Sequence, residues 1–135
     1  MPVLEEDLRF AREVVGNDPL AVFLGIQVAE LEEGRAVVTL LPRPEHLNAL
    51  ERVHGSTLYA LADQAAAVAA NAVGRPALIV EGKVNFLRAA PPDRPLRAEA
   101  RAIDRGRRLS LWDVRITAQG ELVATAQVMA YHRRS

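Results

Sequence analysis

Hydrophobic positions repeat along the chain in two periods. In "LEEDLRFAREVV" near the N-terminus, Leu4, Leu8, Ala11 and Val15 recur at helical spacing, with acids in the first turn. "GNDPL" interrupts the pattern, and Asp18 followed by Pro19 is placed to cap a second short helix, "DPLAVFLG". The period then drops to two. "IQVAELEEGRAVVTLLPR" predicts a hairpin, its strands Ile26–Leu31 and Arg35–Leu41 joined at Glu32–Gly34 and ended by Pro42 and Pro44. Helical spacing returns over Gly55–Val73. There Leu58, Leu61, Ala62, Ala65, Val68, Ala69 and Ala72 form one face, and the opposite face is nearly all alanine. A helix that is apolar all round is a buried one, and Gly74 and Pro76 stop it. Four strands follow, at Ala77–Leu87, Leu96–Asp104, Leu109–Gln119 and Leu122–His132. Their connections are "RAAPPDRP", "RGRR" and "GE", the last two short enough for hairpins. In the last strand Val123, Thr125, Gln127, Met129 and Tyr131 are expected to share one face.

A helical N-terminus, two strands, one long buried helix and four strands add up to an α+β domain. The simplest packing lays the helix across the concave face of a curved antiparallel sheet of about six strands. Alternating Ala98, Ala100 and Ala102 would let the helix approach that face closely. The 135 residues suit one domain, 1–135, with no internal repeat or linker.

Composition narrows the chemistry. The formal net charge is zero, so there is no global basic field for nucleic acid. Without cysteine there is no disulfide or thiolate metal site, and His46, His54 and His132 lack metal-ligand spacing. Neither a metal nor a cofactor is expected. The N-terminus "MPVLEEDLRF" is acidic where a secretory signal would start basic, and the apolar run at 57–73 is short and broken by Asp63, Gln64 and Asn71. The expectation is a cytoplasmic protein with no membrane association. Arginine outnumbers lysine sixteen to one, so single arginines are weak evidence for phosphate binding.

The candidate chemistry lies in "HLNALERVHGSTLYALADQAAAVAANAVG", His46–Gly74. After Gly55, Asp63 is its only charged residue. A buried, unpaired carboxylate is costly. In helix context alone, a structural Asp63, facing solvent or bonded in the core, stands level with a functional one. "VHG" shifts the balance. It opens the helix, where unpaired N–H groups and a partial positive charge suit a developing oxyanion, and Gly55 permits close approach of a ligand. His54 alone reads more readily as a satisfied core histidine. His54 and Asp63 are nine residues apart, half a turn beyond two whole turns at about 100° per residue. If both ends act on one group, two helices from two subunits must meet. An exposed sheet edge and an apolar helix likewise argue against a monomer.

The spacing HLN-x5-HG-x7-D (His46, Leu47, Asn48; His54, Gly55; Asp63), with "EGKVNFLRAA" some eighteen residues further on, resembles the hotdog-fold acyl-CoA thioesterases, in particular their phenylacetate-degradation branch. The likeness runs from "DPLAVFLGI" to the last strand. It implies a helix wrapped by a sheet, dimers that pair edge to edge and often pair again into a homotetramer, and sites at the dimer interface. It implies that the Gly55 N–H polarises the thioester carbonyl and that His54 positions the turn. Asn48 would contact the thioester or the attacking water, and the partner's Asp63 would act as general base or nucleophile. Ser56 stands where the family has a second glycine, near the acyl pocket or the helix packing. Arg88 and Arg107 or Arg108 are candidates for the CoA phosphates. Glu51 replaces a glycine midway between Asn48 and His54, where a positive φ would strain it. Ala89 replaces a proline, and Ala67 stands where some relatives place a water-holding hydroxyl. The implied function is hydrolysis of an acyl-CoA without a cofactor. The alternatives are a non-catalytic acyl-CoA-binding hotdog protein and, less in keeping with "LAD", a hotdog hydratase or dehydratase.

Overall fold

The structure, a computed structural model, describes residues 3–133. Three helices, α1 (Glu5–Arg9), α2 (Pro19–Leu24) and α3 (Gly55–Ala70), accompany six strands. These are β1 (Gln27–Glu32), β2 (Arg35–Leu40), β3 (Ala77–Phe86), β4 (Leu96–Arg105), β5 (Leu109–Ala118) and β6 (Glu121–His132). All six form one antiparallel sheet in the order β1-β2-β4-β5-β6-β3, curved around α3. This is the expected hotdog arrangement.

The sheet face toward α3 follows the period-two pattern. Ala98 and Ala100 of β4, Trp112, Val114 and Ile116 of β5, and Ala126, Val128 and Ala130 of β6 are all buried. Small residues on both surfaces bring helix and sheet together, and Leu61 is fully buried in the shared core. Such a leucine contributes about 2 kcal/mol by leaving water. Two local departures have physical causes. Val123 does not stand with Thr125 and Gln127 on the outer face. The β5–β6 register shifts between Ile116 and Thr117, and the extra residue, Val123, turns inward and is fully buried. The two-residue hairpin loop is Gln119–Gly120, one residue earlier than "GE", with φ of 48° and 85°. Two positive values in succession match the right-handed twist of the flanking strands.

The N-terminal helix is shorter than its periodicity suggests. After α1 the chain widens into a π-turn at Phe10–Val14 and tightens at Val15–Asn17. Ala11 still reaches the core, and Gln64 of α3 donates to the Val15 carbonyl at 2.9 Å. At its far end α3 is hooked to β3. Asn71 donates to the Ala67 and Ala77 carbonyls, and its Oδ1 accepts the Ala77 N–H.

The helix is buried on all but one stripe. Ser56, Tyr59, Ala60, Asp63 and Ala67 stay open or half-open, at spacings of three and four along one side. This stripe runs beside β3, a free sheet edge on which Leu78, Val80 and Phe86 are exposed. Among the described residues no helix is long and apolar enough to cross a membrane.

Candidate functional site

The start of α3 is held by its own sequence. His54 is the N-cap, with extended backbone (φ −65°, ψ 141°), and its Nδ1 accepts the Ser56 N–H at 2.9 Å. The Thr57 and Leu58 N–H groups bond the His54 carbonyl. The Gly55 N–H alone in this first turn has no acceptor among the described residues. It borders an open hollow of about 430 Å³ with His54, Ser56, Tyr59 and Phe86. The Phe86 ring packs over the glycine, and a Cβ at position 55 would stand 3.2 Å from Phe86 Cζ. His46, buried, supports the arrangement from behind. Its Nδ1 accepts the Arg43 N–H, its Nε2 lies 2.8 Å from the Leu24 carbonyl, and its own carbonyl accepts from His54 N and Thr57 Oγ1. With Nδ1 accepting, the ring proton belongs on Nε2 and is donated to Leu24.

Asp63 lines a second hollow of about 250 Å³, walled by Leu20, Leu24 and Ile26 and by Ser56 and Tyr59. Burial pushes the Asp63 carboxyl above the usual range, and the Asp18 carboxylate adds to the rise. Asp18 itself caps α2, accepting the Ala21 N–H at 3.0 Å. Ser56 and Tyr59 thus join the two hollows. Yet Gly55 and Asp63 are eight residues apart on one helix, about 12 Å of rise. Within one chain no single carbonyl group reaches both.

Tyr59, Phe86 and Asp18 also stand at this site, although the sequence assigned none of them a role in it. Tyr59 is legible in the sequence only as the position one turn before Asp63. Its hydroxyl donates to the Gly82 carbonyl at 3.1 Å, over a glycine whose Cβ would meet that oxygen at 2.5 Å. Phe86 and Asp18 reach the helix only through tertiary packing.

Asn48 lines neither hollow. Its Oδ1 accepts the Leu50 and Arg52 N–H groups, which commits the oxygen to the turn and leaves only Nδ2 for a ligand. Just past that turn, Val53 bridges back to Leu47. Glu51 adopts φ 60°, the left-handed conformation that favours glycine, with a side chain present. An L-residue there carries a penalty of roughly 1 kcal/mol, against somewhat less for the extra freedom glycine adds to the unfolded chain. Glu51→Gly should therefore hold or slightly raise the urea midpoint. Glu51→Val, branched at Cβ, should lower stability by about 1 kcal/mol or more. A stable Glu51→Val would show that the turn relaxes.

The three arginines do not converge in one chain. Arg88 follows β3 at the helix-start end and donates to the Leu122 carbonyl at 2.8 Å. Arg107 and Arg108 sit in the β4–β5 turn at the opposite end. The register places Phe86 beside Ala124 at the beginning of β6, and Leu109 beside Tyr131 at its end. Strand direction alone separates them.

Comparison with known proteins gives a consistent picture. The thioesterase superfamily pattern matches residues 50–134. The acyl-coenzyme A thioesterase PaaI of Escherichia coli is 34% identical over 109 residues, covering 81% of this chain and 78% of that protein. The structure of the E. coli PaaI protein from the phenylacetic acid degradation operon superposes with a TM-score of 0.92 at 29% identity, covering 99% of this chain and 98% of that one. A hypothetical thioesterase of Streptococcus pneumoniae solved with coenzyme A superposes with a TM-score of 0.76 at 26% identity, covering 82% of this chain and 91% of that one.

Proposed function

The chain belongs to the thioesterase superfamily, and from that premise we propose that it hydrolyses acyl-CoA thioesters at a site shared between two copies. The observation that carries this reading is the division of labour along one open helix stripe. An unbonded Gly55 N–H lies at its start and a carboxylate with a raised pKa, Asp63, about 12 Å further on. A two-fold partner joined across the β3 edge would lay its helix antiparallel beside this one and bring its Asp63 to Gly55. The exposed Leu78, Val80 and Phe86 on that edge support such a joint.

In this reading the thioester oxygen accepts from the Gly55 N–H at the positive end of α3. Water attacks the carbonyl carbon while the partner's Asp63 takes its proton, or the carboxylate attacks directly and water then cleaves the anhydride. The oxyanion forms against Gly55, its collapse breaks the C–S bond, and the departing thiolate takes up a proton that comes from the hydrolytic water, giving CoA as the thiol. Every step uses groups of the chain, water and substrate. His54 keeps the helix start in place through Ser56. The Leu20, Leu24 and Ile26 wall beside Asp63 offers an apolar bed for the acyl group, and Ser56 and Tyr59 line the passage between the hollows. Arg88 lies at the end of the sheet that the CoA tail would cross. Arg107 and Arg108 could meet that tail only from another copy.

A panel of acyl-CoAs with free-thiol release as readout tests the reading. Turnover of at least one member is expected. Saturable binding without thiol release would make the protein an acyl-CoA binder instead.

The environment of Asp63 also sets a pH profile. The carboxylate must be ionised to act, so kcat/KM should fall as pH drops through its raised pKa, above the ordinary carboxylate range. Asp18→Asn keeps the cap of α2 but removes a nearby negative charge, which favours ionised Asp63. The acid limb should move to lower pH in that variant, with the plateau rate little changed. An unmoved limb would disconnect Asp18 from the reacting carboxylate.

A further inference from the structure

At the end of the sheet away from Gly55, a cavity of about 150 Å³ lies among Arg75, Arg105, Ser110, Trp112 and His132. Its polar groups form a chain with one loose end. Trp112 Nε1–H donates to Ser110 Oγ at 2.8 Å, and Ser110 Oγ lies 2.8 Å from His132 Nε2. Ser110 has one proton to give, and His132 Nε2 is the acceptor in reach. The neutral ring therefore carries its own proton on Nδ1. His132 is only 3% exposed, and this Nδ1 has no partner. Arg75 Nε is likewise buried without a partner. The Arg75 backbone carbonyl also faces the His132 ring, outside hydrogen-bond geometry, and the Arg75 charge lies close enough to bear on that ring. Two buried N–H donors lining one cavity are an unusual expense in a folded chain, about 1–3 kcal/mol each if left unmet.

The surrounding charge narrows what would meet them. Arg105 lines the same cavity and shares one N–H group with Glu33 at 3.1 Å. Arg107 and Arg108 stand in the adjacent turn, and Arg75 makes no ion pair among the described residues. The acids in the neighbourhood are Glu33, Asp104 beside Gly106 on the rim, and Asp7, which shares an adjoining hollow with Arg75. Donors and cations outnumber acceptors, which selects an anion with several lone pairs. We propose that this cavity binds a small oxyanion of the phosphate class, accepting from His132 Nδ1–H and Arg75 Nε–H in the field of Arg105. The proposal is independent of the hydrolytic site, and either can fail without the other.

The test is a titration of the whole protein with inorganic phosphate, replacing chloride at constant ionic strength and pH, read by NMR of the histidine rings. The His132 resonances should shift saturably while those of His46, whose two nitrogens are already engaged, stay still. Arg75→Gln should weaken the apparent affinity roughly tenfold or more, the scale of one lost charge-assisted bond. A parallel arm with free CoA tells whether the phosphate group can arrive on a larger molecule or only as the free ion. A His132 ring that ignores phosphate, or shifts together with His46 without saturating, would leave the cavity holding water only and overturn the proposal. That outcome is read on the native chain and does not depend on the variant folding.

Discussion

Asp63→Asn should lower kcat by roughly 10²-fold or more, the scale of losing a general base, while KM and the oligomeric state hold. The amide keeps the size of the carboxylate and part of its hydrogen bonding but cannot take a proton from water. The stability change has the opposite sign from the one a structural aspartate would give. The folded-state pKa of Asp63 is raised, chiefly by burial and then by Asp18. Between the ordinary carboxylate pKa and this raised value the folded chain holds more protons than the unfolded one. Stability contributed by this group is therefore lost as pH rises through that window, and above it the ionised carboxylate is a net cost. At neutral pH the asparagine variant should melt at the same temperature or higher. Turnover and thermal melting of the one variant decide the matter. Retained turnover with a lower melting temperature would return Asp63 to a structural role.

Gly55→Pro should cost kcat about 10²–10³-fold, the range for removing one oxyanion donor, with α3 intact. Position 55 is the first residue of the helix, where proline fits and its missing N–H breaks no internal bond. His54 already has the extended backbone that a following proline requires. Gly55→Ala is the control. Its Cβ presses on Phe86, an exposed ring that can yield, but the N–H remains, so its loss should be small. Combining the variants tests the shared site. If Gly55 of one copy works with Asp63 of the other, co-expressed Asp63→Asn and Gly55→Pro chains form mixed dimers with one site intact and one doubly broken. Random pairing then restores about a quarter of wild-type activity. A site complete within one chain predicts no recovery at all.

Much of this site is legible in the order of residues alone. The helical period over Gly55–Val73, its stop at Gly74 and the isolated Asp63 are patterns of neighbouring residues. The structure keeps them, with α3 starting at Gly55 and a short tighter turn finishing at Val73. The demand for positive φ at Glu51 can be inferred from the chain only as a strain, and the structure shows the chain accepting it. What the helix pattern hides is the open stripe. Ser56, Tyr59 and Asp63 are set among alanines that look alike on every side, and only the position of β3 leaves that side uncovered.

The sequence by itself determined the order of elements, their limits to within a residue or two for the strands, and the two groups on which the proposed chemistry rests. Periodicity, caps, prolines and turn residues act over a few positions, so they can be read along the chain. The tertiary structure decided which elements became neighbours. It put β2 beside β4 and sent β3 past them to the far edge beside β6. It split Arg88 from Arg107 and Arg108, carried Asp18 to Asp63 and closed Ser110, Trp112 and His132 into one buried chain. These outcomes depend on how sheet and helix share one core, and on the loss of water around groups far apart in the sequence. Local pattern specifies neither strand order nor which polar groups lose their water, so the electrostatics of Asp63 and His132 come into existence only when the chain closes.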